Sequence, residues 1–182
     1  MKRIFLIHGW GGSPNNDWFP WAKKILIEKG YEVVVPEMPD TEHPKISPWV
    51  GKLKRAVGEL RPDDIFVGHS IGCQTILRFL ESLPEGKRVD KVILIAPWWY
   101  LTLDEGESQV DADPWLVQDV NFLSLHNKSD KYICVFSDND PYVPLEPNVK
   151  FFKEELKPEV IIKKNMEHFN TEKIEFLLDI IK

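Results

Sequence analysis

Apolar runs and amphipathic segments alternate along the chain from end to end. Six runs rich in Val and Ile are almost continuously apolar, which is typical of parallel strands that are covered on both faces. These predicted strands are Ile4–Ile7, Val33–Val35, Ile65–Val67, Val92–Ile95, Tyr132–Phe136 and Val160–Ile162. Between and after the strands, apolar side chains recur every three or four residues, which indicates helices. The predicted helices are Trp18–Lys29, Pro48–Leu60, Ile71–Leu83, Leu145–Leu156 and Thr171–Ile181.

The alternation of strand and helix predicts an α/β protein with a doubly wound parallel sheet and helices on both faces. A chain of 182 residues is long enough for one domain, residues 1–182, and short for two. Ser47 before Pro48 predicts an N-cap followed by proline at the first helical position. Residues 97–130 break the pattern, because they have no clean helical period, and connections of that length are often functional.

Composition and charge argue against several classes of protein. The net charge of −6 disfavours nucleic acid and anionic membranes as partners. No apolar stretch is long enough to span a bilayer, and the first residues lack a signal-peptide cleavage site, so we expect a cytoplasmic protein. Cys73 and Cys134 follow neither a metal-binding nor a disulfide spacing, and we expect them to be buried free thiols.

The clearest chemical signal is the segment Gly68-His69-Ser70-Ile71-Gly72, which follows a predicted strand and opens a predicted helix. This is the context that a G-x-S-x-G nucleophile elbow requires. The serine then stands on a strained turn clear of the sheet, and the glycines let helix and strand approach each other. Ser70 is therefore the candidate nucleophile. The alternative is a tight glycine turn with an incidental serine.

A serine hydroxyl needs a base that removes its proton, and five histidines compete for that role. His8 and His69 lie in turns beside predicted strands, where they serve the local structure. His43 and His126 lie in other loops. His168 follows the last predicted strand, and loops after parallel strands gather at the sheet edge where Ser70 lies. His168 is the candidate base, with a structural surface histidine as the alternative.

A rigidly held carboxylate must orient that histidine and stabilise its cation. The segment after the fifth predicted strand offers two, Asp138 and Asp140. Pro141 stiffens the chain directly after Asp140, whereas Asp138 is close enough to the strand end to cap the turn. We favour Asp140, and the resulting chain order of Ser, Asp and His is that of α/β hydrolases.

A site for acyl transfer also needs N–H donors for the oxyanion. Ile71 offers one at the start of its predicted helix, where the helix dipole helps. The glycine-rich loop His8-Gly9-Trp10-Gly11-Gly12 follows the first strand and offers another, with Trp10 as the candidate donor. A phosphate-binding loop is disfavoured because no Gly-Lys-Ser/Thr ending follows.

These motifs resemble those of the compact α/β-hydrolase family of YdeN and retinoblastoma-binding protein 9. The resemblance covers nearly the whole chain. It rests on the glycine-rich loop, the segment Trp18-Phe19-Pro20-Trp21, the elbow, and the segments around Asp140 and His168. It implies catalytic roles for Ser70, Asp140 and His168, no metal or organic cofactor, and no cap domain. It leaves the physiological substrate undefined.

We therefore predict an α/β-hydrolase fold with a six-stranded parallel sheet in the order 2-1-3-4-5-6. The predicted function is hydrolysis of small carboxylic esters, thioesters or amides through an acyl-serine intermediate. The partner would thus be a small-molecule ester or amide. Trp98, Trp99 and Trp115 are expected to wall the substrate pocket.

Two other functions remain open. One is a catalytically silent binding or scaffold protein, because a fold alone does not guarantee activity. The other is an aminopeptidase-like amidase, which would want a carboxylate near the pocket; Asp17, Asp111 and Asp113 are the candidates. The acidic run over residues 104–113 is expected to be a solvated loop.

Overall fold

The computed structural model describes residues 1–103 and 109–182. Its strands are β1 (Arg3–Ile7), β2 (Glu32–Val34), β3 (Ile65–His69), β4 (Val89–Ile95), β5 (Ser129–Ser137) and β6 (Glu159–Lys163). Its helices are α1 (Phe19–Glu28), α2 (Ile46–Val57), α3 (Ile71–Glu81), α4 (Gln109–Val117), α5 (Phe122–Leu125), α6 (Leu145–Glu155) and α7 (Leu177–Ile180). All six predicted strands are present, with ends that differ by a few residues.

The six strands form one parallel sheet in the order β2-β1-β3-β4-β5-β6, as predicted, and this is the α/β-hydrolase fold. Strands β1 and β3 are buried along their whole length, whereas the edge strands β2 and β6 are partly exposed. Helices on both faces explain why the inner strands read as continuous apolar runs. Because the strands are parallel, the loops that follow β1, β3, β5 and β6 meet at one edge of the sheet.

Helix α3 starts in close contact with the sheet, and two glycines make this approach feasible. A Cβ added at Gly72 would lie 2.4 Å from the carbonyl oxygen of Ile7 and 2.8 Å from that of His8. A Cβ at Gly68 would lie 2.8 Å from the backbone nitrogen of Cys73. Both positions therefore require glycine for steric reasons, in agreement with the elbow motif.

The predicted start of the second helix was wrong. Helix α2 begins at Ile46, so Lys45, in an extended conformation, is its N-cap and Ser47 is its second residue. Pro48 is tolerated as the third residue because the first N–H groups of a helix have no intrahelical acceptor. The first helical hydrogen bond runs from the N–H of Trp49 to the carbonyl of Lys45.

The interval between β4 and β5 is more regular than its sequence suggested. It contains α4 and α5, although no helical period was expected there. Ala112 and Trp115 are buried while Val110 and Val117 are exposed, so the apolar residues of α4 do not form one stripe. The acidic residues Asp104, Glu105 and Glu107, part of the run expected to be a solvated loop, lie outside the described residues.

The last predicted helix is mostly irregular. Only α7 is helical within the range Thr171–Ile181. Ile174, Leu177 and Ile181 are nevertheless buried. Their spacing in the sequence therefore reflects contact with the core and does not indicate a continuous helix. Upstream of α7, Phe176 packs its ring edge-on against that of Phe169.

Two other sequence predictions concern the interior and the membrane. Cys73 and Cys134 are both buried free thiols, as predicted. Within residues 1–103 and 109–182, none of the helices has the length and apolar character that crossing a bilayer requires.

The contact between α3 and β1 predicts a large effect of one added methyl group. Gly72→Ala should lower the free energy of unfolding by about 3 kcal/mol, because the new Cβ meets backbone oxygens that cannot rotate away. Gly51→Ala in α2 is the matched control, since its Cβ meets only the end of the Arg55 side chain, at 3.4 Å. The control should be neutral or slightly stabilising. Urea unfolding measures both, and equal stability of the two variants would refute the proposed steric requirement.

Candidate active site

Ser70 occupies the sharp turn between β3 and α3. Its backbone has φ 53° and ψ −122°, a conformation that is strained for a residue with a Cβ. The turn is fixed on both sides, because Ser70 N–H donates to the carbonyl of Ile95 at 2.9 Å and Cys73 N–H donates to the carbonyl of Ser70 at 2.9 Å. The local geometry is therefore that of a nucleophile elbow.

Ser70 lines a cavity of about 250 Å³ at the carboxyl edge of the sheet. The glycine-rich loop after β1 and the ring-bearing residues Trp98, Tyr142 and His168 also line this cavity. The structure thus brings the candidate nucleophile, the candidate base and the candidate oxyanion loop to one concave site.

Asp140 holds the ring of His168. Its Oδ2 lies 2.8 Å from Nδ1 of His168, and only 2% of the Asp140 side chain and 11% of the His168 side chain are exposed. The other oxygen, Oδ1, accepts hydrogen bonds from the N–H groups of Tyr142 at 2.9 Å and Val143 at 3.0 Å. Both oxygens are therefore engaged, which fixes the carboxylate and leaves Nε2 of His168 as the ring nitrogen available for chemistry.

The loops that carry Asp140 and His168 are tied to each other by polar side chains. Ser137 Oγ donates to Oδ1 of Asn139 and accepts from the N–H of Met166 at 3.1 Å. The same Asn139 oxygen accepts from the N–H of Glu167 at 2.9 Å. Asp138 also belongs to this brace, since its Oδ1 accepts from the N–H of Asn165 at 2.8 Å.

His69 contacts His168 from the elbow side. Its Nε2–H donates to the backbone carbonyl of His168 at 2.7 Å, and the two rings lie 4.9 Å apart. Burial lowers the pKa of His69 to about 3, with the charge of His168 adding to the effect, so the ring is neutral at pH 7. The position of His69 in the sequence predicts only a role in the local turn, and no local pattern indicates its contact with His168.

The remaining histidines are engaged elsewhere. His8 accepts a hydrogen bond from the N–H of Met38 through Nε2, and burial lowers its pKa. His43 pairs with Asp111 at 2.9 Å, and His126 lies 2.7 Å from the carbonyl of Glu155. Among the described residues, no hydrogen bond joins Ser70 to the ring of His168, and catalytic contacts of this kind are often loose before substrate binds.

The two candidate oxyanion donors belong to the two backbone segments next to Ser70, the glycine-rich loop and the start of α3. The ideal Cβ of Gly9 would lie 3.3 Å from Cβ of Ser70, so the glycine-rich loop packs directly on the elbow. Trp10 is held through its indole N–H, which donates to the carbonyl of Glu42 at 3.0 Å. Within residues 1–103 and 109–182, the backbone N–H groups of Trp10 and Ile71 have no hydrogen-bond acceptor.

Of the three tryptophans expected to wall the pocket, only Trp98 lines the cavity. Trp99 instead stacks on Phe151 at 4.9 Å, and Trp115 is fully buried with its indole N–H donating to the carbonyl of Pro44 at 3.0 Å. Trp115 lies in the core against Trp49 of α2, whereas Trp99 is partly buried and packs against the core beside α6. The expectation for Trp99 and Trp115 was therefore wrong.

One of the three candidate carboxylates for amine recognition lies in the cavity. This residue is Asp17, whose pKa is raised above its ordinary value because desolvation outweighs the opposite effect of the nearby charge of His168. Asp111 pairs with His43, and Asp113 accepts a hydrogen bond from Gln109. Among the described residues, no group of three or more His, Cys, Asp and Glu side chains could hold a metal ion.

Comparison with known proteins agrees with this fold. YdeN of Bacillus subtilis (strain 168) is 37% identical over 95 residues, which are 52% of this chain and 50% of that relative, so the match spans about half of each. The crystal structure of the ydeN gene product from B. subtilis has a TM-score of 0.88 at 24% identity and covers 100% of this chain and 97% of its own. A structure from work on carboxylesterases of the thaumarchaeon Nitrososphaera gargenis has a TM-score of 0.73 at 17% identity, with coverage of 99% and 88%.

Similarity to solved structures at less than 25% identity shows only that the fold is shared. The family is instead shown by the match of the sequence to a family model. The model of a family described as serine hydrolase matches residues 4–174. The chain therefore belongs to the serine hydrolase family.

Proposed function

We propose that this protein hydrolyses small carboxylic esters through an acyl-serine intermediate. The observation that carries the proposal is the position of His168, which is oriented by Asp140 and lines the same cavity as the strained Ser70. Family membership and the fold shared with carboxylesterases support the choice of an ester bond. The complete set of Ser, His and Asp argues against a catalytically silent scaffold.

In the proposed first step, Nε2 of His168 takes the proton of the Ser70 hydroxyl while Oγ attacks the carbonyl carbon of the ester. Asp140 keeps the proton on Nδ1 and stabilises the imidazolium that forms. The tetrahedral intermediate collapses, His168 gives its proton to the departing alkoxide, and the acyl group remains on Ser70. Water, deprotonated by His168, then releases the carboxylic acid and restores the serine.

The N–H groups of Trp10 and Ile71 are proposed to bind the oxyanion. Ile71 is fully buried, and a buried N–H without an acceptor is costly and therefore uncommon in folded proteins. A donor of this kind is well suited to a charge that is present only during the reaction. Trp10 belongs to a loop whose other contacts hold it in position, including Gly11 N–H to the carbonyl of Thr41 at 2.9 Å.

The decisive test of this function concerns Ser70. A fluorophosphonate should modify Ser70 alone, and Ser70→Ala should lower kcat for p-nitrophenyl acetate by about 10⁴-fold or more. Mass spectrometry of digested protein identifies the modified residue, and spectrophotometry follows hydrolysis. Labelling at another residue, or full turnover by Ser70→Ala, would remove the proposed mechanism. A folded protein without labelling or turnover would support the scaffold alternative.

The two aspartates after β5 should respond very differently to loss of charge. Asp140→Asn should lower kcat by about 10⁴-fold, because an amide N–H beside His168 favours the wrong tautomer. Asp138→Asn is the matched control, and its kcat should stay within about tenfold of that of the parent protein. The reason is that Asp138 accepts a hydrogen bond from the N–H of Asn165 and does not contact His168. Steady-state kinetics with circular dichroism as a check of folding would measure both, and the reverse ranking would transfer the role to Asp138.

The volume of the cavity predicts a preference for short acyl chains. About 250 Å³ equals the volume of about eight water molecules, and it must also hold part of the leaving group. Each methylene that fits gains about 0.8 kcal/mol, whereas one that does not fit clashes with the cavity wall and moves the ester away from Ser70. We expect kcat/KM to be at least about tenfold higher for p-nitrophenyl butyrate than for the decanoate, with no increase when substrate forms micelles. Faster hydrolysis of the longer chain would contradict the proposed pocket.

A further inference from the structure

The proposed mechanism leaves one charged side chain in the cavity without a role. Asp17 lines the cavity together with Ser70 and His168. Asp140 already orients His168, so the triad does not need a second carboxylate. In the described part of the chain, the Asp17 carboxylate has neither a hydrogen-bond partner nor an ion-pair partner. Its charge is therefore available to whatever enters the cavity.

The backbone on both sides of Asp17 is anchored. On one side, the N–H of Asn16 donates to the carbonyl of Ser13 at 3.2 Å, and the two side chains are also hydrogen bonded. On the other side, Trp18 is fully buried and stacks on Phe19 with the rings 4.0 Å apart. The carboxylate is consequently attached to a defined point of the cavity wall and does not belong to a loose surface loop.

Within the described cavity, the charge of Asp17 is opposed only by His168 when that ring is protonated, and the proposed reaction starts from the neutral ring. No lysine or arginine lines the described cavity, and His69 is neutral at pH 7. The second carboxylate of the site, Asp140, lies behind His168 and adds negative charge. An electrostatic field of one sign in a concave site attracts ligands of the opposite charge and repels those of the same charge.

We propose that Asp17 is a specificity-determining residue that favours small esters carrying an ammonium group beside the scissile bond. This inference rests on the proposed ester hydrolysis and specifies the substrate class of the same site. Neutral esters of the same shape are hydrolysed more slowly, and esters with a carboxylate at that place more slowly still. Because Asp17 is exposed and its charge is screened by water, it contributes only about three- to tenfold in kcat/KM to the preference for the cation over its neutral isostere.

Isosteric pairs of substrates isolate charge from shape. Acetylthiocholine is compared with the thioester in which a tert-butyl group replaces its trimethylammonium group, which puts the cation in the leaving group. Glycine p-nitrophenyl ester at a pH where its amine is protonated is compared with the propionate, which puts the cation in the acyl group. The succinate half-ester supplies the anionic case.

Each pair is measured with the parent protein, with Asp17→Asn, and with the control Asp119→Asn, which removes one exposed carboxylate outside the cavity. The readout is the ratio of kcat/KM within a pair for one variant. Any effect of Asp17 on the basicity of His168 acts on both substrates and cancels in that ratio. Asp17→Asn should retain activity on the neutral ester, since Asp17 takes no part in the proposed acyl transfer.

The expected result, in at least one pair, is a cation-to-neutral ratio of kcat/KM that is unchanged in Asp119→Asn and about three- to tenfold lower in Asp17→Asn than in the parent protein. A ratio that is the same in Asp17→Asn and in the parent protein for every pair overturns the role of Asp17 and leaves the ester hydrolase intact. Failure of the parent protein to hydrolyse any of these esters would instead contradict the proposed function, and this inference with it.

Discussion

The close approach of α3 to the sheet is the constraint on which the geometry of the candidate active site depends. Gly72 brings the backbone of α3 to β1 at a distance where a methyl group would overlap the carbonyl of Ile7. This contact closes the turn after β3 so tightly that Ser70 must adopt a positive φ of 53°. The strain is stored in the residue that the proposed reaction uses, and the surrounding packing of buried strands and α3 maintains it.

The contact between α3 and β1 also fixes the rest of the site, because the other loops of the site contact the elbow. Gly9 packs against Ser70 on one side, and His69 reaches from the elbow to the backbone of His168 on the other. The loop of His168 is in turn bound to the loop of Asp140 through Asn139. Three sheet-edge loops therefore form one hydrogen-bonded unit, and such support is what holds reacting groups in a productive arrangement.

Local sequence was sufficient where local chemistry decides the structure. The six strands, the elbow at Ser70 and the position of His168 after the last strand all follow from apolar runs and glycine spacing, whereas the strand order was predicted from the resemblance to the α/β-hydrolase family. The pairing of Asp140 with His168 agrees with the choice made from Pro141. Sequence failed where tertiary packing decides which way a side chain faces. Trp99 and Trp115 follow the correct strand and yet pack against or within the core, away from the cavity. Helix α4 was missed because its apolar residues do not form one stripe along the helix.

The most direct measurement of the central claim is a crystal structure of the protein after reaction with a small alkyl fluorophosphonate. The account predicts that phosphorus is bonded to Oγ of Ser70 and that the phosphoryl oxygen lies about 3 Å from the backbone nitrogens of Trp10 and Ile71. It also predicts that the bond between His168 and Asp140 remains as it is in the free protein. An adduct on another residue, or a phosphoryl oxygen turned away from both N–H groups, would contradict the proposed catalytic site.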